Sequence, residues 1–394
     1  MFYVIGIDDN REQFFAPEIA GIIRTHRVFS GGARHLEIME PYLPLNYKWI
    51  PITVPLSEVM EEYRLYDDVV VFASGDPLFF GFANTLLRDM PDKEVRVYPY
   101  FNSLQLLAHR LQLPYQDMHI VSLTGRPWDK FDEALILGYE KIGILTDRSV
   151  HTPETIAERM IKYGYDNYTM CVGELLGNKE GERYGTYDLH TVLDKEFAYP
   201  NNIILQQTYH RERKLGLPEG DFHLLNGRVK MITKMPIRLL SLAMLNLREA
   251  KTFWDIGFCT GSVSIEAKLQ FPHLKVISFE CREEGNDLME MNARKFGTPG
   301  ITAVYGDFAD LDVSAYPSPD AVFIGGHGGR MLEIVQRVSH LMPSGAPIVF
   351  NSVSDESHQL FADAVSACGL KVCQETHLQV DDHNPIDVMM AIKP

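Results

Sequence analysis

The sequence predicts an α/β protein with two domains. In residues 251–266 an apolar run ends in an aspartate, breaks at two glycines and resumes as an amphipathic helix. Residues 68–77 show a similar pattern, in which an apolar run typical of a strand buried on both faces precedes a glycine and a helix. The length of 394 residues suits two domains of roughly 200 residues each.

The glycine turn of residues 257–261 is the strongest functional signal. Gly257 and Gly261 leave the backbone open to a ligand, and the helix that follows has free N–H groups in its first turn. A strand of residues 275–280 then ends in Glu280, at the distance of about 20 residues where a carboxylate accepts hydrogen bonds from ribose hydroxyls. A third strand, of residues 301–305, leads to Asp307. The pattern predicts a site for a small polar ligand, and a plain strand-turn-helix is the alternative.

Charge and hydropathy exclude several classes of protein. The net charge of −16 argues against a nucleic-acid partner, because phosphate binding depends on lysine and arginine, and the longest basic cluster is residues 211–214. No apolar run reaches the roughly 18 residues that span a bilayer, and the amino terminus lacks the basic start of a signal peptide. We therefore expect a cytoplasmic protein without a membrane partner.

The cysteines and histidines predict neither a disulfide framework nor a metal site. The five cysteines show no C-x-x-C spacing, and the histidines show neither H-x-x-x-H nor H-E-x-x-H. Cys259 lies inside the glycine turn, where a small side chain that fits is favoured over a reactive thiol.

The first half alternates strands and helices up to a predicted domain boundary after residue 206. Its strands are expected near residues 2–7, 28–31, 68–73, 95–98, 119–122, 142–145, 168–174 and 202–205. Its helices are expected at residues 17–24, 57–66, 78–87, 102–111 and 153–163. A predicted linker at residues 113–117 divides this domain, residues 1–206, into two lobes.

The second domain, residues 215–394, is organised around the glycine turn. A helix at residues 236–247 precedes the turn, and a further strand at residues 319–326 ends in a glycine pair. Helices follow at residues 331–341 and 355–368. The last two apolar segments, residues 370–379 and 386–392, are close enough in sequence to pair as an antiparallel edge.

Both halves resemble known methyltransferases. The first is similar to the class III tetrapyrrole methyltransferases of corrin synthesis in residues 30–35, 73–77, 102–103 and 122–126. The second resembles the class I, Rossmann-like methyltransferases that act on the same macrocycle, in residues 216–218, 233–234, 255–266 and 323–326. Together they resemble the fused precorrin-6Y C5,15-methyltransferases (decarboxylating) of cobalamin synthesis over nearly the whole chain.

This resemblance implies one S-adenosylmethionine (SAM) in each domain. The amino domain would methylate C5 of precorrin-6B, and the carboxyl domain would methylate C15 and decarboxylate the C12 acetate. The implied cofactor contacts are Gly6, Gly75, Asp76, Asn102, Ser103, Thr233, Asp255, Gly257, Thr260, Gly261, Glu280, Asp307 and Phe308.

The substrate would be an anionic tetrapyrrole, so an acidic protein must gather cations near its clefts. The implied substrate contacts are Arg34, Arg126, Arg238, Gly325, Gly326 and Arg330. No catalytic acid or base is evident, and the candidates are His35, His327 and Lys234, where histidine titrates near neutral pH. The resemblance also implies a homo-oligomer.

Three alternatives remain open at this point. The substrates could be the cobalt-containing macrocycles of the anaerobic route, cobalt-precorrin-7 and cobalt-precorrin-6B, because nothing in the sequence reports on cobalt. The glycine turn could belong to a dinucleotide-dependent oxidoreductase. A non-catalytic SAM-sensing module is the third alternative, and it is disfavoured because both turns keep their glycines and carboxylates.

Overall fold

The computed structural model describes residues 1–285, 287–381 and 384–394, which fold into two compact units. The first unit comprises Met1–Arg126, Tyr139–Glu158 and Tyr168–Thr208, and the second comprises Pro127–Gly138, Arg159–Asn167 and Tyr209–Pro394. The units are defined by spatial packing and not by sequence order. Two short segments that precede residue 206, Pro127–Gly138 and Arg159–Asn167, therefore belong to the second unit. The predicted domain limits, residues 1–206 and 215–394, stay a prediction.

The first unit begins with a five-stranded parallel sheet in the order β3-β2-β4-β1-β5. The strands are β1 (Phe2–Ile7), β2 (Val28–Gly31), β3 (Lys48–Pro51), β4 (Val69–Ser74) and β5 (Val95–Tyr98). The helices are α1 (Pro17–Thr25), α2 (Ala33–Met39), α3 (Leu56–Tyr63), α4 (Ala83–Asp89) and α5 (Ser103–Arg110). The central β4 is buried from Val69 to Ala73, as expected for a strand covered on both faces.

The second sheet of this unit is mixed, in the order β6-β7-β10-β8-β9. Its strands are β6 (His119–Ser122), β7 (Lys141–Leu145), β8 (Tyr168–Glu174), β9 (Arg183–Tyr187) and β10 (Asn201–Gln207). The pair β6 and β7 is parallel, whereas β10 runs antiparallel to both β7 and β8. Helices in this part of the chain are α6 (Asp129–Leu137), α7 (Pro153–Lys162) and α8 (Leu189–Leu193).

The second unit contains a seven-stranded sheet in the order β13-β12-β11-β14-β15-β17-β16. Its strands are β11 (Thr252–Ile256), β12 (Lys275–Glu280), β13 (Ile301–Tyr305), β14 (Ala321–Ile324), β15 (Pro347–Ser352), β16 (Lys371–Leu378) and β17 (Ile386–Ile392). Its helices are α9 (Met235–Met244), α10 (Ser262–Gln270), α11 (Leu288–Phe296), α12 (Met331–Leu341) and α13 (Asp355–Ala367). The last two strands pair antiparallel at the edge, so that prediction is confirmed.

Strand β11 shows why this sheet has two cores. All five of its residues are buried, and alternate side chains point to opposite faces. Trp254 and Ile256 join one apolar cluster, whereas Phe253 belongs to another. This strand is therefore held on both faces, which fixes the position of the glycine turn at its end.

The predicted helix over residues 78–87 is wrong in its first turn. The structure has turns up to Phe82, and α4 begins at Ala83. The carboxylate of Asp76 accepts a hydrogen bond from the backbone N–H of Leu78 at 2.9 Å, and Phe80 has a positive φ of 52°. This local hydrogen bonding competes with helix formation, as is usual for aspartate beside a turn.

Among the described residues, every helix is too short or too polar to cross a bilayer.

The core contacts of α13 give a stability prediction. Phe361 is fully buried, whereas its neighbour Leu360 is 40% exposed. We expect Phe361→Ala to lower the free energy of unfolding of the second unit by about 3–5 kcal/mol, because it leaves a cavity. Leu360→Ala, the matched control, should change it by no more than about 0.5 kcal/mol. Denaturant unfolding would measure both, and equal effects would contradict the packing described here.

Candidate active sites

A cavity of about 440 Å³ lies in the first unit, where strands from its two sheets end. Its lining includes Ser74, Gly75, Asn102, Ser103 and Asn202. The side chain of Asn202 is buried, and both its amide nitrogen and its oxygen lack a partner among the described residues. Because buried polar groups are almost always paired, this amide is suited to bind a ligand.

Two glycines shape the turn beside this cavity. Gly75 has φ +61°, and a Cβ on it would lie 2.8 Å from the Cα of Asn102. Gly6 lies behind the turn, where a Cβ would be 1.9 Å from the carbonyl oxygen of Gly75. The prediction that Gly6 contacts the cofactor is therefore corrected: Gly6 allows the Gly75 turn to pack on β1. Asp76 is likewise outside the cavity lining and closes the turn described above.

Arg34 and His35 meet at the mouth of this cavity. Arg34 Nη2 donates to Ser74 Oγ at 2.8 Å, and His35 Nε2 lies 2.9 Å from the same oxygen. Desolvation and, to a smaller extent, the adjacent Arg34 cation lower the pKa of His35 to about 4. His35 is therefore a neutral, weak base at neutral pH, which favours hydrogen bonding over proton abstraction.

Arg126 is at the rim of the same cavity. Its guanidinium donates to Ser122 Oγ at 2.5 Å and lies 5.2 Å from the ring centroid of Phe80, which lines the cavity. The residue is exposed. Arg34 and Arg126 thus place two cations at the entrance, and their contact with substrate stays a prediction.

The glycine turn of the second unit brings two neighbouring strand ends into contact. Gly257 has φ +77°, and a Cβ on it would lie 2.6 Å from the backbone nitrogen of Gly326. Gly261 has φ +76° at the start of α10, and a Cβ there would meet Met289 Sδ at 2.5 Å. Gly261 therefore shapes the turn and packs on α11. Two cavities lie beside this turn, and Gly261 is not among the residues that line them.

Those two cavities share Gly257, Arg282 and Gly325. One has a volume of about 420 Å³ and its lining includes Lys230, Lys234, Thr233, Asp255, Thr260 and Asn351; we call it the lysine-lined cavity. The other has a volume of about 340 Å³ and its lining includes Glu280, Asp307, Phe308, Gly326 and His327; we call it the acid-lined cavity.

Glu280 presents an ionised carboxylate to the acid-lined cavity. It accepts hydrogen bonds from the backbone N–H of Cys259 at 2.8 Å and from the Arg282 guanidinium at 2.8 Å. Burial favours its neutral form, but the hydrogen bonds and charge of Arg282 hold the pKa of Glu280 below its ordinary value. Asp307 and the buried Phe308 lie in the same cavity. A carboxylate next to an apolar ring suits a ribose and a base.

Asp255 and Thr260 are buried polar residues in the lysine-lined cavity. Asp255 Oδ2 accepts a hydrogen bond from the Ser264 hydroxyl at 2.5 Å, whereas Asp255 Oδ1 and Thr260 Oγ1 lack partners among the described residues. Burial, with a smaller contribution from the nearby charge of Glu280, raises the pKa of Asp255 to about 7, although hydrogen bonds from Ser264 oppose the shift. Burial also raises the pKa of the Cys259 thiol, which argues against a reactive thiol in the turn.

Arg238 was predicted to bind the substrate, and the structure corrects this. Its side chain is fully buried and forms an ion pair with Glu266, with Nε and Oε2 3.3 Å apart. Its remaining donors bond to the carbonyl oxygens of Thr233 and Leu217, while Glu266 also accepts from the backbone N–H groups of Gly216 and Leu217. Arg238 therefore positions the wall of the lysine-lined cavity.

Arg330 is also committed to protein contacts. It forms ion pairs with Asp307 at 3.0 Å, Asp310 at 2.6 Å and Glu333 at 2.5 Å. These carboxylates raise its pKa above the ordinary value. Its predicted contact with substrate is replaced by a positioning role, because it holds the Asp307 carboxylate beside the acid-lined cavity.

The remaining acid–base candidates lie in the second unit. Lys234 lines the lysine-lined cavity, and its Nζ lies 3.3 Å from the carbonyl oxygen of Val229. His327 lines the acid-lined cavity, and its Nδ1 accepts a hydrogen bond from the backbone N–H of Gly329 at 3.2 Å. Both remain predictions as catalytic groups.

Sequence reasoning missed three functional candidates. Lys230 and Arg282 could have been found, because Lys230 lies four residues before Lys234 and Arg282 directly follows the Glu280 strand end. Asn202 gave no such signal: its burial depends on strands that are distant in sequence.

Comparisons with known proteins decide the family. A family model described as "Precorrin methyltransferase domain" matches residues 227–394, and one described as "Tetrapyrrole (Corrin/Porphyrin) Methylases" matches residues 20–189. A protein from Sinorhizobium sp, named precorrin-6Y C(5,15)-methyltransferase (decarboxylating), is 31% identical over 395 residues, covering 99% of this chain and 93% of that protein. The chain belongs to the family of precorrin-6Y C(5,15)-methyltransferases.

Two further relatives agree with this membership. A Mycobacterium tuberculosis (strain CDC 1551 / Oshkosh) protein with the same name is 28% identical over 376 residues, covering 94% of this chain and 91% of that protein. A Salmonella typhi protein named cobalt-precorrin-6B C(15)-methyltransferase (decarboxylating) is 32% identical over 173 residues, covering 43% of this chain and 87% of that protein.

Family membership makes the chain a SAM-dependent corrin methyltransferase, as the resemblance implied. It removes the oxidoreductase and the SAM-sensing module as alternatives. The second unit fits SAM on its own geometry, because Gly257 exposes the backbone, Glu280 is an ionised acceptor, and Asp255 and Thr260 offer unpaired polar atoms.

The close approach at Gly257 can be tested by adding one methyl group. Gly257→Ala should destabilise the second unit by more than the roughly 1–2 kcal/mol that a positive φ alone costs a residue with a Cβ, because the new atom also meets backbone. Gly345→Ala is the matched control, since Gly345 has φ +83° and open space around its Cβ position. Equal losses in unfolding free energy would show that the contact with Gly326 does not matter.

The buried carboxyl of Asp255 predicts a pH dependence. Because the folded state binds this proton more tightly than the unfolded state, Asp255 contributes to the free energy of unfolding. The contribution is fully present below about pH 4 and is lost as the pH rises through about 7. Asp255→Asn does not titrate, so the variant should gain about 3 kcal/mol relative to the parent chain between about pH 5 and pH 8. Urea unfolding of the SAM-free proteins at both pH values would measure it. A pH-independent difference would show that Asp255 is ionised throughout.

Proposed function

We propose that the chain methylates C5 and C15 of precorrin-6B and removes carbon dioxide from the C12 acetate. In this proposal the first unit methylates C5, and the second methylates C15 and decarboxylates. The main support is that a relative named for both positions matches 99% of the chain, and that each unit has its own cavity beside a glycine turn at strand ends.

We further propose one SAM in each unit. In the second unit Glu280 would accept hydrogen bonds from the ribose hydroxyls, while Asp307 and Phe308 would contact the adenine in the acid-lined cavity. In the first unit the Gly75 turn, Asn102, Ser103 and the unpaired Asn202 amide would hold the cofactor. When bound, SAM would supply an electrophilic methyl group, and these residues would hold it next to the ring carbon to be methylated.

The cations near each cavity would orient the substrate carboxylates. Arg34 and Arg126 lie at the entrance in the first unit, and Lys230 and Lys234 line the cavity in the second. Such contacts fix which ring carbon faces the methyl donor, because arginine and lysine bind carboxylates through charge-assisted hydrogen bonds. Positioning of this kind can supply much of the rate enhancement without a strong base.

The cobalt-containing macrocycle is the second candidate substrate. The relative from Salmonella typhi is named for cobalt-precorrin-6B, but it covers only 43% of this chain. We favour the cobalt-free substrate because the relatives that match nearly the whole chain are named for precorrin-6Y. A homo-oligomer and a cytoplasmic location also remain predictions.

Mass spectrometry tests the proposed reaction directly. Purified chain would be incubated with SAM and precorrin-6B, with or without cobalt in the ring. We expect a product with two more methyl groups and one fewer carbon dioxide, formed faster from the cobalt-free substrate. An unchanged macrocycle mass, with SAM binding intact, would reject both substrates, and preference for the cobalt-containing ring would reverse the choice between routes.

If each unit binds its own SAM, a substitution in one unit should remove or weaken one SAM site and leave the other unchanged. Gly261→Val should remove binding in the second unit, because its side chain would displace Met289 and strain the turn. Asn202→Ala should weaken binding in the first unit by removing the unpaired amide.

Isothermal titration calorimetry should count two SAM molecules per parent chain and one tight site in each variant. Tyr209→Phe is the control, because Tyr209 lines none of the three cavities described above. This variant should keep both SAM sites. A parent chain that binds a single SAM would contradict the proposal.

A further inference from the structure

A cluster of histidines and carboxylates lies at the edge of the second unit's sheet. His358 is in the first turn of α13, Glu375 and His377 are on the edge strand β16, and Asp387 is on β17 directly opposite His377. None of the four is among the residues lining the lysine-lined or the acid-lined cavity. The methyltransferase reaction therefore gives no reason for their convergence.

The ligand atoms of three of these residues are close enough to share one ion. One imidazole nitrogen of His358, one carboxylate oxygen of Glu375 and one of Asp387 all lie within 4.8 Å of one another. Donors around a tetrahedral zinc ion lie roughly 3.4 Å apart, given bonds of about 2.0–2.2 Å. His358 Nε2 and Glu375 Oε1 are 2.9 Å apart, so small rotations of these accessible side chains would reach that geometry.

The cluster also has the supporting contacts of a metal site. His377 Nδ1 lies 2.7 Å from Asp387 Oδ1 and would orient that carboxylate, as residues behind metal ligands commonly do. The two strands are paired, and the start of α13 is capped by Ser354, whose hydroxyl accepts from the Ser357 N–H. The backbone that carries the ligands is therefore fixed before an ion arrives.

We propose that His358, Glu375 and Asp387 form a binding site for a divalent transition-metal ion such as Zn²⁺. Imidazole nitrogen and carboxylate oxygen are ligands that zinc accepts, and water would complete the coordination because the three side chains are 25–45% exposed. The ion would offset the charge of two neighbouring carboxylates. It would join α13 to both strands of the antiparallel edge, so its role is structural.

Zinc titration of the EDTA-treated, untagged full chain tests this site. We expect calorimetry to find a saturable Zn²⁺ site whose affinity falls at least about tenfold in His358→Gln and in Asp387→Asn, because each substitution removes one ligand. His340→Gln is the matched control: His340 is exposed on α12 and its Nδ1 lies 2.6 Å from the carbonyl oxygen of Gln336. Its Zn²⁺ affinity should equal that of the parent.

A second readout separates metal binding from damage to the fold. Zn²⁺ should raise the melting temperature of the parent and of His340→Gln, and raise it less in the two ligand variants, whose metal-free melting temperatures should match the parent. Glu375→Gln replaces either ligand variant that does not fold. Absence of saturable Zn²⁺ binding in the parent, or equal affinity in all variants, would overturn the proposal.

Discussion

The second site depends on the close approach of two backbones. Gly257, at the end of β11, lies so near Gly326 after β14 that a single methyl group would overlap with backbone atoms. Because β11 is buried on both faces, the turn at its end cannot move away from Gly326 without disturbing the core. The two cavities of this unit meet at the same point, so a ligand there faces peptide groups. This constraint explains the glycine at the end of β11, and the glycine after β14 is explained by Gly325, where a Cβ would lie 2.9 Å from the carbonyl oxygen of Gly257.

The ion pair of Arg238 and Glu266 fixes the other wall of this site. A charged pair without solvent access is unfavourable unless its hydrogen-bonding groups are satisfied. Here Glu266 also accepts two backbone N–H groups, and Arg238 donates to two carbonyl oxygens. These contacts tie the segments around Leu217 and Thr233 to α10, the helix that starts at the glycine turn. The pair thus couples the lysine-lined cavity to the turn through fixed hydrogen bonds.

Much of the fold could be predicted from the sequence because it depends on local patterns. Apolar runs gave the buried strands, and the spacing of Asp255, Gly257 and Glu280 predicted the order of groups along adjacent strand ends. The error at the start of α4 comes from a local hydrogen bond, whereas the errors at two arginines concern partners distant in the chain. Arg238 and Arg330 are cations near strand ends or helix starts, but Glu266 and Asp310 compete with the substrate for their charge. For Arg238 the sequence did contain a sign of its partner, because Glu266 is a carboxylate within the apolar pattern of α10.

The two units solve the same steric problem with different polar groups. In each, a glycine with positive φ follows a buried strand, and a neighbouring glycine, Gly6 or Gly325, makes room for the turn. The second unit then places the ionised Glu280 at the next strand end, whereas the first offers the neutral, unpaired amide of Asn202. Neutral amides both donate and accept hydrogen bonds, while a carboxylate only accepts. The glycine turns therefore set access to the backbone, and the groups beside them set how each unit would recognise the same cofactor.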